Sequence, residues 1–126
     1  MGVLWTKPGV QFAQIAPGGF RILAALDTVA KAAPFDLVIT CGTDGHPPTD
    51  PHTLGKAYDV RTHDLTEDQK TALVRDVLLA LQTDATDAPV ETSGGLATKT
   101  FFGWIEHPGE LTEHCHVQVR KGITFP

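Results

Sequence analysis

The sequence is poor in the residues that mark several common classes of protein. It contains 2 cysteines among 126 residues, which is too few for a disulfide framework. No stretch reaches the roughly 18 consecutive apolar residues of a membrane-spanning helix. The first residues, Met1 to Lys7, lack the basic and then apolar layout of a signal peptide. We therefore expect no membrane partner and a protein that is cytoplasmic as synthesised.

Positive charge is also sparse. The 10 Lys and Arg residues are scattered among 15 Asp and Glu residues, so the formal net charge is −5. Because no basic run is present, we expect no nucleic-acid partner. A length of 126 residues suits a single domain, residues 1–126, with enough chain to bury one core. We expect this domain to be a monomer.

The spacing of apolar residues predicts the secondary structure. Steps of three and four residues in two segments predict two amphipathic helices, the second introduced by a capping box at Thr66 to Gln69. β-branched runs and alternating residues predict strands before, between and after these helices. In chain order we predict a short strand within 9–16, a helix over 20–33, strands at 36–41 and 57–61, a helix over 66–81, a loop at 83–98, and a hairpin of strands 99–105 and 114–120.

This order of elements predicts an α+β fold, in which helices pack on one face of a mostly antiparallel sheet. Cys41 ends a strand-like run, and Cys115 lies between two histidines on the last predicted strand. We predict that both are buried, reduced thiols.

Two polar clusters have the residue types of a zinc site. His52 and Asp59 lie at the junction of a loop and a strand, and His116 lies on the last predicted strand. A catalytic zinc ion takes three ligands of this kind and keeps one open position. Since side chains alternate along a strand, His114 and His116 share one face while Cys115 points to the other. We predict His52, Asp59 and His116 as ligands, with His114 as the flanking group.

Hydrolysis at such a site also needs a proton carrier and a group that steadies an oxyanion. Glu113 and Glu110 are both candidates for the proton carrier, and the sequence leaves this choice open: strand parity favours Glu110, whereas a bulge favours Glu113. His46, in the loop of residues 42–51, is the candidate for the oxyanion. Glu106 is predicted to be a solvated surface charge with no role in the site.

The same residues resemble a known family. Residues 52–59 read His-Thr-Leu-Gly-Lys-Ala-Tyr-Asp, and they meet in full the pattern His-x-x-Gly-x-Ala-x-Asp of M15-type D,D-peptidases and the hedgehog signalling domain. His116 stands where that family has its later histidine. His46, Glu110 and His114 stand at the spacing of the hedgehog domain, while Glu113 stands where bacterial members have their catalytic acid. The resemblance extends from about residue 20 to residue 121.

The resemblance implies a hedgehog/D,D-peptidase-like fold and a zinc ion held by His52, Asp59 and His116. It also implies a metallopeptidase that cleaves peptide bonds in peptidoglycan, as a D,D-carboxypeptidase, a dipeptidase or an L-alanyl-D-glutamate endopeptidase. The expected partner is then a peptidoglycan peptide, which the protein meets at the cell wall after release. The alternative is a binding module that keeps zinc without turnover. Hydrolysis of another amide is a third reading.

Overall fold

The computed structural model describes residues 2–122, and it is an α+β protein. Within these residues, 2 helices accompany a sheet of 7 strands. The elements are β1 (Leu4–Thr6), α1 (Pro17–Ala32), β2 (Leu37–Cys41), β3 (Ala57–Arg61), α2 (Glu67–Leu81), β4 (Val90–Thr92), β5 (Gly95–Ala97), β6 (Phe101–Glu106) and β7 (His114–Val119), with a short 3₁₀ turn at Ala85–Asp87.

The sheet is mostly antiparallel, as predicted. Its order is β1-β2-β3-β7-β6-β5-β4, and β1 and β2 form its parallel pair. A strand of 3 residues closes each end of the sheet. The central pair is β3 and β7, whose register sets Asp59 opposite His116 and Arg61 opposite His114. This pairing brings the two polar clusters of the sequence together.

Both helices pack on one face of the sheet, which also agrees with the prediction. The buried side chains of β3 and β7 on this face alternate with Asp59 and His116, which point to the opposite face. Together with the apolar sides of α1 and α2 they form a single core, made up of Ile22, Leu26, Leu37, Ile39, Tyr58, Val60, Val77, Leu78, Leu81, Phe101, Cys115 and Val117. The opposite face is therefore available for polar chemistry.

The predicted capping box begins α2. The Thr66 hydroxyl accepts a hydrogen bond from the Gln69 backbone N–H, and the Gln69 side chain accepts one from the Thr66 N–H. The predicted hairpin of β6 and β7 is also present, with an antiparallel register from Phe101 opposite Val119 to Glu106 opposite His114. None of the described helices is long and apolar enough to cross a membrane.

The strand predicted within residues 9–16 is wrong. The first strand is Leu4–Thr6, and the chain from residue 11 to residue 16 is irregular. Its backbone groups pair with the loop after β2 instead of with a strand: Thr43 donates its N–H to the Gln11 carbonyl at 2.7 Å, and the Ala13 N–H donates to the Thr43 hydroxyl at 2.9 Å. This segment consequently covers the loop that leads to the polar cluster.

The loop predicted at residues 83–98 is also wrong in part. It contains the 3₁₀ turn and the hairpin of β4 and β5, which turns at Gly94 with a φ of 106°. Buried Asp87 organises the segment, because its carboxylate accepts hydrogen bonds from the Thr83 and Lys99 backbone N–H groups at 3.1 and 2.6 Å. The polar residues therefore build a short hairpin that extends the sheet.

Candidate metal centre

Three ligand atoms converge on the open face of the sheet. His52 Nε2 lies 3.2 Å from Asp59 Oδ1 and 3.2 Å from His116 Nδ1, and His116 Nδ1 lies 2.9 Å from Asp59 Oδ1. Tetrahedral zinc with ligands at about 2.0 to 2.1 Å requires ligand atoms roughly 3.3 Å apart. The spacing of these three atoms is thus close to that of one side of a zinc coordination sphere.

The fold positions each of these side chains by a different local feature. Asp59 and His116 are cross-strand neighbours in β3 and β7, and their side chains leave the sheet on the same face. His52 lies in the turns that precede β3, and the Asp50 carboxylate accepts a hydrogen bond from its backbone N–H at 2.9 Å. His52, Asp59 and His116 are 2%, 6% and 6% exposed, so the centre is screened from bulk water.

Gly55 allows the turn between His52 and Asp59 to pack tightly. It has a φ of 72°, in the left-handed region, and a Cβ atom placed on it would lie 2.4 Å from the Gln14 carbonyl oxygen. Gly19, in the first turns of α1, approaches Gly55 from another side, since its own Cβ would lie 2.0 Å from the Gly55 carbonyl oxygen. Steric contacts and the positive φ therefore require a glycine at this position of the His-x-x-Gly-x-Ala-x-Asp pattern in this chain.

The outer nitrogens of the two buried histidines are fixed by oxygen acceptors. His52 Nδ1 donates to the Gly42 carbonyl at 3.1 Å, and His116 Nε2 donates to Gln118 Oε1 at 2.9 Å. Each inward nitrogen therefore carries a lone pair when the ring is neutral. Two lone pairs at this distance repel each other unless a cation or a proton lies between them. Metal-binding histidines in proteins have the same outer hydrogen bonds.

The electrostatics of the centre favour a negative Asp59. Burial alone would raise the pKa of Asp59, but its contacts with His116 and His52, whose inward nitrogens donate to it when the rings are protonated, lower this pKa well below its usual value. For His52, burial disfavours the charged ring, yet the hydrogen bond and charge of Asp59 outweigh it and raise the pKa of His52. A carboxylate that stays ionised among inward-facing imidazoles is suited to bind a cation.

A second donor set overlaps the first. Donor atoms of Cys41, His46, His52 and Asp59 all lie within 4.8 Å of one another, so this group can hold a metal ion. His46 stacks on His52 with ring centres 4.2 Å apart, and its Nε2 lies 3.2 Å from Cys41 Sγ. His116 stands outside this second set, and the two sets share His52 and Asp59.

Cys41 is half-buried rather than buried, which corrects the sequence prediction, because its thiol faces this polar centre and not the core. Burial, reinforced by the charges of Asp59, Asp44 and Asp50, raises the pKa of the Cys41 thiol to about 12. Cys115 is buried in the core as predicted, and neither cysteine forms a disulfide.

His114 and Glu106 border the triad of His52, Asp59 and His116. His114 Nε2 lies 3.5 Å from Asp59 Oδ2 and 3.6 Å from Glu106 Oε2, while His114 Nδ1 donates to the Thr112 carbonyl at 2.9 Å. Glu106 Oε1 lies 3.4 Å from His116 Nδ1. The Glu106 carboxylate is partly exposed, so water has access to it. His114 and Glu106 therefore both adjoin the triad of His52, Asp59 and His116.

Glu113 and Glu110 lie elsewhere. Glu113 belongs to the opposite face of the sheet, where its carboxylate bonds to Lys70 Nζ at 2.9 Å and to the Thr62 hydroxyl and the Gly109 N–H, both at 2.8 Å. These bonds, against the cost of burial, lower the pKa of Glu113 to about 2. Glu110 is exposed in the turn before β7 and pairs with His107 at 3.4 Å. The structure brings neither carboxylate to the triad.

Three residues near the predicted ligands were not predicted as part of the site from the sequence. Glu106 faces the site because it shares a face of β6 with Trp104, whose indole packs on the His116 ring at 4.2 Å. Gln118 orients His116 from two residues along the same strand. Cys41 adds a donor at the end of β2. Strand parity applied to β6 and β7 would have indicated Glu106 and Gln118.

No family model, no curated protein and no solved structure matches this chain. The geometry of the centre and the motif of residues 52–59 are therefore the observations that bear on its function.

Proposed function

We propose that the protein is a zinc-dependent hydrolase that cleaves peptide bonds in peptidoglycan stems or cross-links, with a hedgehog/D,D-peptidase-like fold. One observation carries the proposal: His52 Nε2, Asp59 Oδ1 and His116 Nδ1 converge at 2.9 to 3.2 Å from one another. Two histidines and one carboxylate are a ligand set of catalytic zinc sites. When bound here, zinc supplies Lewis acidity, which polarises a carbonyl group and acidifies water.

The residues around the triad supply proton transfer in this proposal. Glu106 accepts a proton from water and later gives it to the departing amine, since its carboxylate adjoins the triad and is open to solvent. Glu113 and Glu110 were the sequence candidates for this role, but the first is paired with Lys70 and the second lies in an exposed turn. We therefore assign the role to Glu106.

Two further histidines orient the substrate. His114 Nε2 points toward Asp59 and Glu106 and is held there by the Thr112 carbonyl. His46 stacks on His52 on another side of the centre. In the proposal these rings line the position of the oxyanion that forms when water attacks a carbonyl group.

The substrate assignment follows the motif of residues 52–59 and its resemblance to peptidoglycan peptidases. The test is digestion of purified peptidoglycan with the purified protein, with measurement of newly released amino groups. We expect hydrolysis, its loss with a chelator, its recovery when zinc is restored, and no activity for His116→Ala. His107→Ala is the matched control, because His107 is an exposed histidine outside the triad. Intact peptidoglycan in the presence of zinc-loaded protein would contradict the proposal.

A second candidate function is a zinc-containing binding module without turnover. Cys41 and His46 favour it, because with His52 and Asp59 they supply four donors, the number of a closed structural site. In that case Cys41→Ser lowers zinc affinity strongly and Glu106→Gln changes neither zinc content nor ligand binding. In the hydrolase, Cys41→Ser retains zinc and Glu106→Gln loses turnover. Zinc content and hydrolysis of the two variants therefore separate the candidates.

A further inference from the structure

The centre contains donors for two different positions of a metal ion. The triad of His52, Asp59 and His116 supplies three donor atoms and leaves a fourth coordination position open. The second set supplies four, from Cys41, His46, His52 and Asp59, all within 4.8 Å of one another. A tetrahedral ion with four protein ligands has no place for water or substrate. The triad is therefore an open position, and the second set is a closed one.

A single ion can occupy only one of these positions at a time. The Nδ1 atom of His52 faces the Gly42 carbonyl at 3.1 Å, so Nε2 is the one nitrogen of this ring that faces the centre. A ring nitrogen has one lone pair and binds one ion. Because both sets include His52, the open and the closed position compete for the same donor.

The chain itself brings Cys41 and His46 to the centre. Cys41 Sγ lies 3.2 Å from His46 Nε2, and sulfur and nitrogen ligands of a tetrahedral zinc ion are roughly 3.6 Å apart. The His46 ring is stacked on the His52 ring, with centres 4.2 Å apart and planes at 5°. The Thr53 hydroxyl donates to the His46 carbonyl at 3.2 Å and ties the loop to the turn before β3. Little movement is therefore needed to complete the closed position.

The sulfur atom gives the closed position an advantage that the triad lacks. Thiolate is a soft ligand that binds zinc well, and the closed position also has one more protein ligand than the triad. When Cys41 binds, a bond forms between sulfur and the metal, and the thiol proton is released to solvent. The open position is compensated only by water or substrate at its fourth coordination site.

We propose that Cys41 and His46 are inhibitory ligands: the ion rests in the closed position, and turnover requires its transfer to the triad. This inference rests on the proposed function and adds regulation of the same site. The transfer exchanges Cys41 and His46 for His116, while His52 and Asp59 stay bound. A ligand that binds the ion only in the open position shifts the ion toward the triad.

The first test uses the full-length protein loaded with cobalt(II), because a bond between cobalt and thiolate gives a charge-transfer band in the near ultraviolet. We expect this band in the wild type and in His116→Ala, which keeps the closed position. Cys41→Ser should bind cobalt in the triad without the band. The double variant should bind cobalt at least about 10-fold more weakly than the two single losses combined predict, because each position substitutes for the other.

The second test uses acetohydroxamate, which binds metal ions that have an open coordination position. It should bind cobalt-loaded Cys41→Ser at least about 10-fold more tightly than the wild type, because in the wild type the ion must first leave the closed position. Its binding to the wild type should abolish the band. Cys115→Ala is the matched control, because it removes the other cysteine of the chain, which is buried in the core. The band and the acetohydroxamate affinity should stay unchanged.

Absence of the band from the wild type, loss of cobalt from either single variant, or equal acetohydroxamate affinity in the wild type and Cys41→Ser would overturn the inference. If Cys41→Ser fails to fold, alkylation of the folded wild type with iodoacetamide blocks the same thiol and must abolish the band. The expected spectra and affinities, without hydrolysis of peptidoglycan by any zinc-loaded form, would contradict the proposed function and leave the two positions standing.

Discussion

Asp59 and His116 are directly opposite each other on neighbouring antiparallel strands, and Asp59 Oδ1 lies 2.9 Å from His116 Nδ1. The residues are 57 positions apart in the chain. Their contact is therefore made by the β3 and β7 pairing alone, and it is rigid because both strands lie in the middle of the sheet. Rigid strands hold ligands more precisely than loops do.

Gln118 should tune the affinity of the centre for zinc. Its Oε1 accepts a hydrogen bond from the Nε2–H of His116. In Gln118→Leu that N–H loses its acceptor. We expect zinc affinity to fall by about 10- to 100-fold, the range found for such supporting residues. Competition with a chromogenic chelator measures it. Gln11→Leu is the control, because within residues 2–122 the Gln11 side chain makes no hydrogen bond and only its backbone bonds to the loop. Equal losses in both variants would argue against the role.

Glu106, and not Glu110 or Glu113, should carry the proton during hydrolysis. Glu106→Gln keeps the shape of the side chain and removes its basicity, so we expect kcat to fall by about 100-fold or more with zinc content unchanged. Glu110→Gln should change kcat by less than about 2-fold, because Glu110 lies in an exposed turn. Full activity of Glu106→Gln would return the choice to the two glutamates that the sequence indicated.

Gly55→Ala should damage both the fold and the metal centre. The new Cβ meets the Gln14 carbonyl and the backbone has a positive φ, so we expect unfolding free energy to fall by about 2 to 4 kcal/mol. Zinc affinity should fall with it, since His52 and Asp59 flank this turn. Gly9→Ala separates the two effects: Gly9 also has a positive φ, of 91°, but nothing lies within 4 Å of its Cβ position. Denaturant unfolding of both variants measures the difference.

Glu113 should make the stability of the protein depend on pH. The pKa of the Glu113 carboxyl group is about 2 in the folded protein and near 4.5 in the unfolded chain, so folding favours the ionised form. This stabilisation is present above about pH 4.5 and is lost as the pH falls toward 2. The pair of Glu113 and Lys70 borders two surface grooves, where solvent partly screens it. We therefore expect the free energy of unfolding to fall by on the order of 2 kcal/mol when Glu113 is protonated.

Melting temperatures measured between pH 7 and pH 2 test the Glu113 prediction. Glu113→Gln should be less stable than the wild type at neutral pH and should show a flatter dependence below pH 4.5. A wild-type profile that is as flat as that of the variant would contradict it.

The sequence predicted the helices and central strands well because their signals are local. The capping box at Thr66, the apolar stripe of α2 and the alternation around Cys115 each need only neighbouring residues. The convergence of the two polar clusters was predicted from their donor types, and the structure brings His52, Asp59 and His116 together.

Where the structure differs from the sequence predictions, the local structure is determined by partners that are distant in the sequence. Residues 11–13 look like a strand, yet their backbone groups bond to Thr43 and Asp44 in a loop some thirty positions away. The hairpin of β4 and β5 depends on the pairing of β5 with β6. This pairing cannot be predicted from the sequence of such short polar strands. Glu113 seemed suited to catalysis by its spacing from His116, but the strand begins at His114 without a bulge, so Glu113 faces Lys70 instead.

The two ends of the sheet have a consequence for how copies of this protein meet. Each edge strand, β1 and β4, offers only 3 residues of unpaired backbone, about 10 Å of template. Strand addition between molecules gains little from so short a ladder, which is one way that natural proteins avoid aggregation and amyloid-like stacking. At high concentration the folded molecules should therefore remain dispersed even though most of their β-structure lies in one continuous sheet.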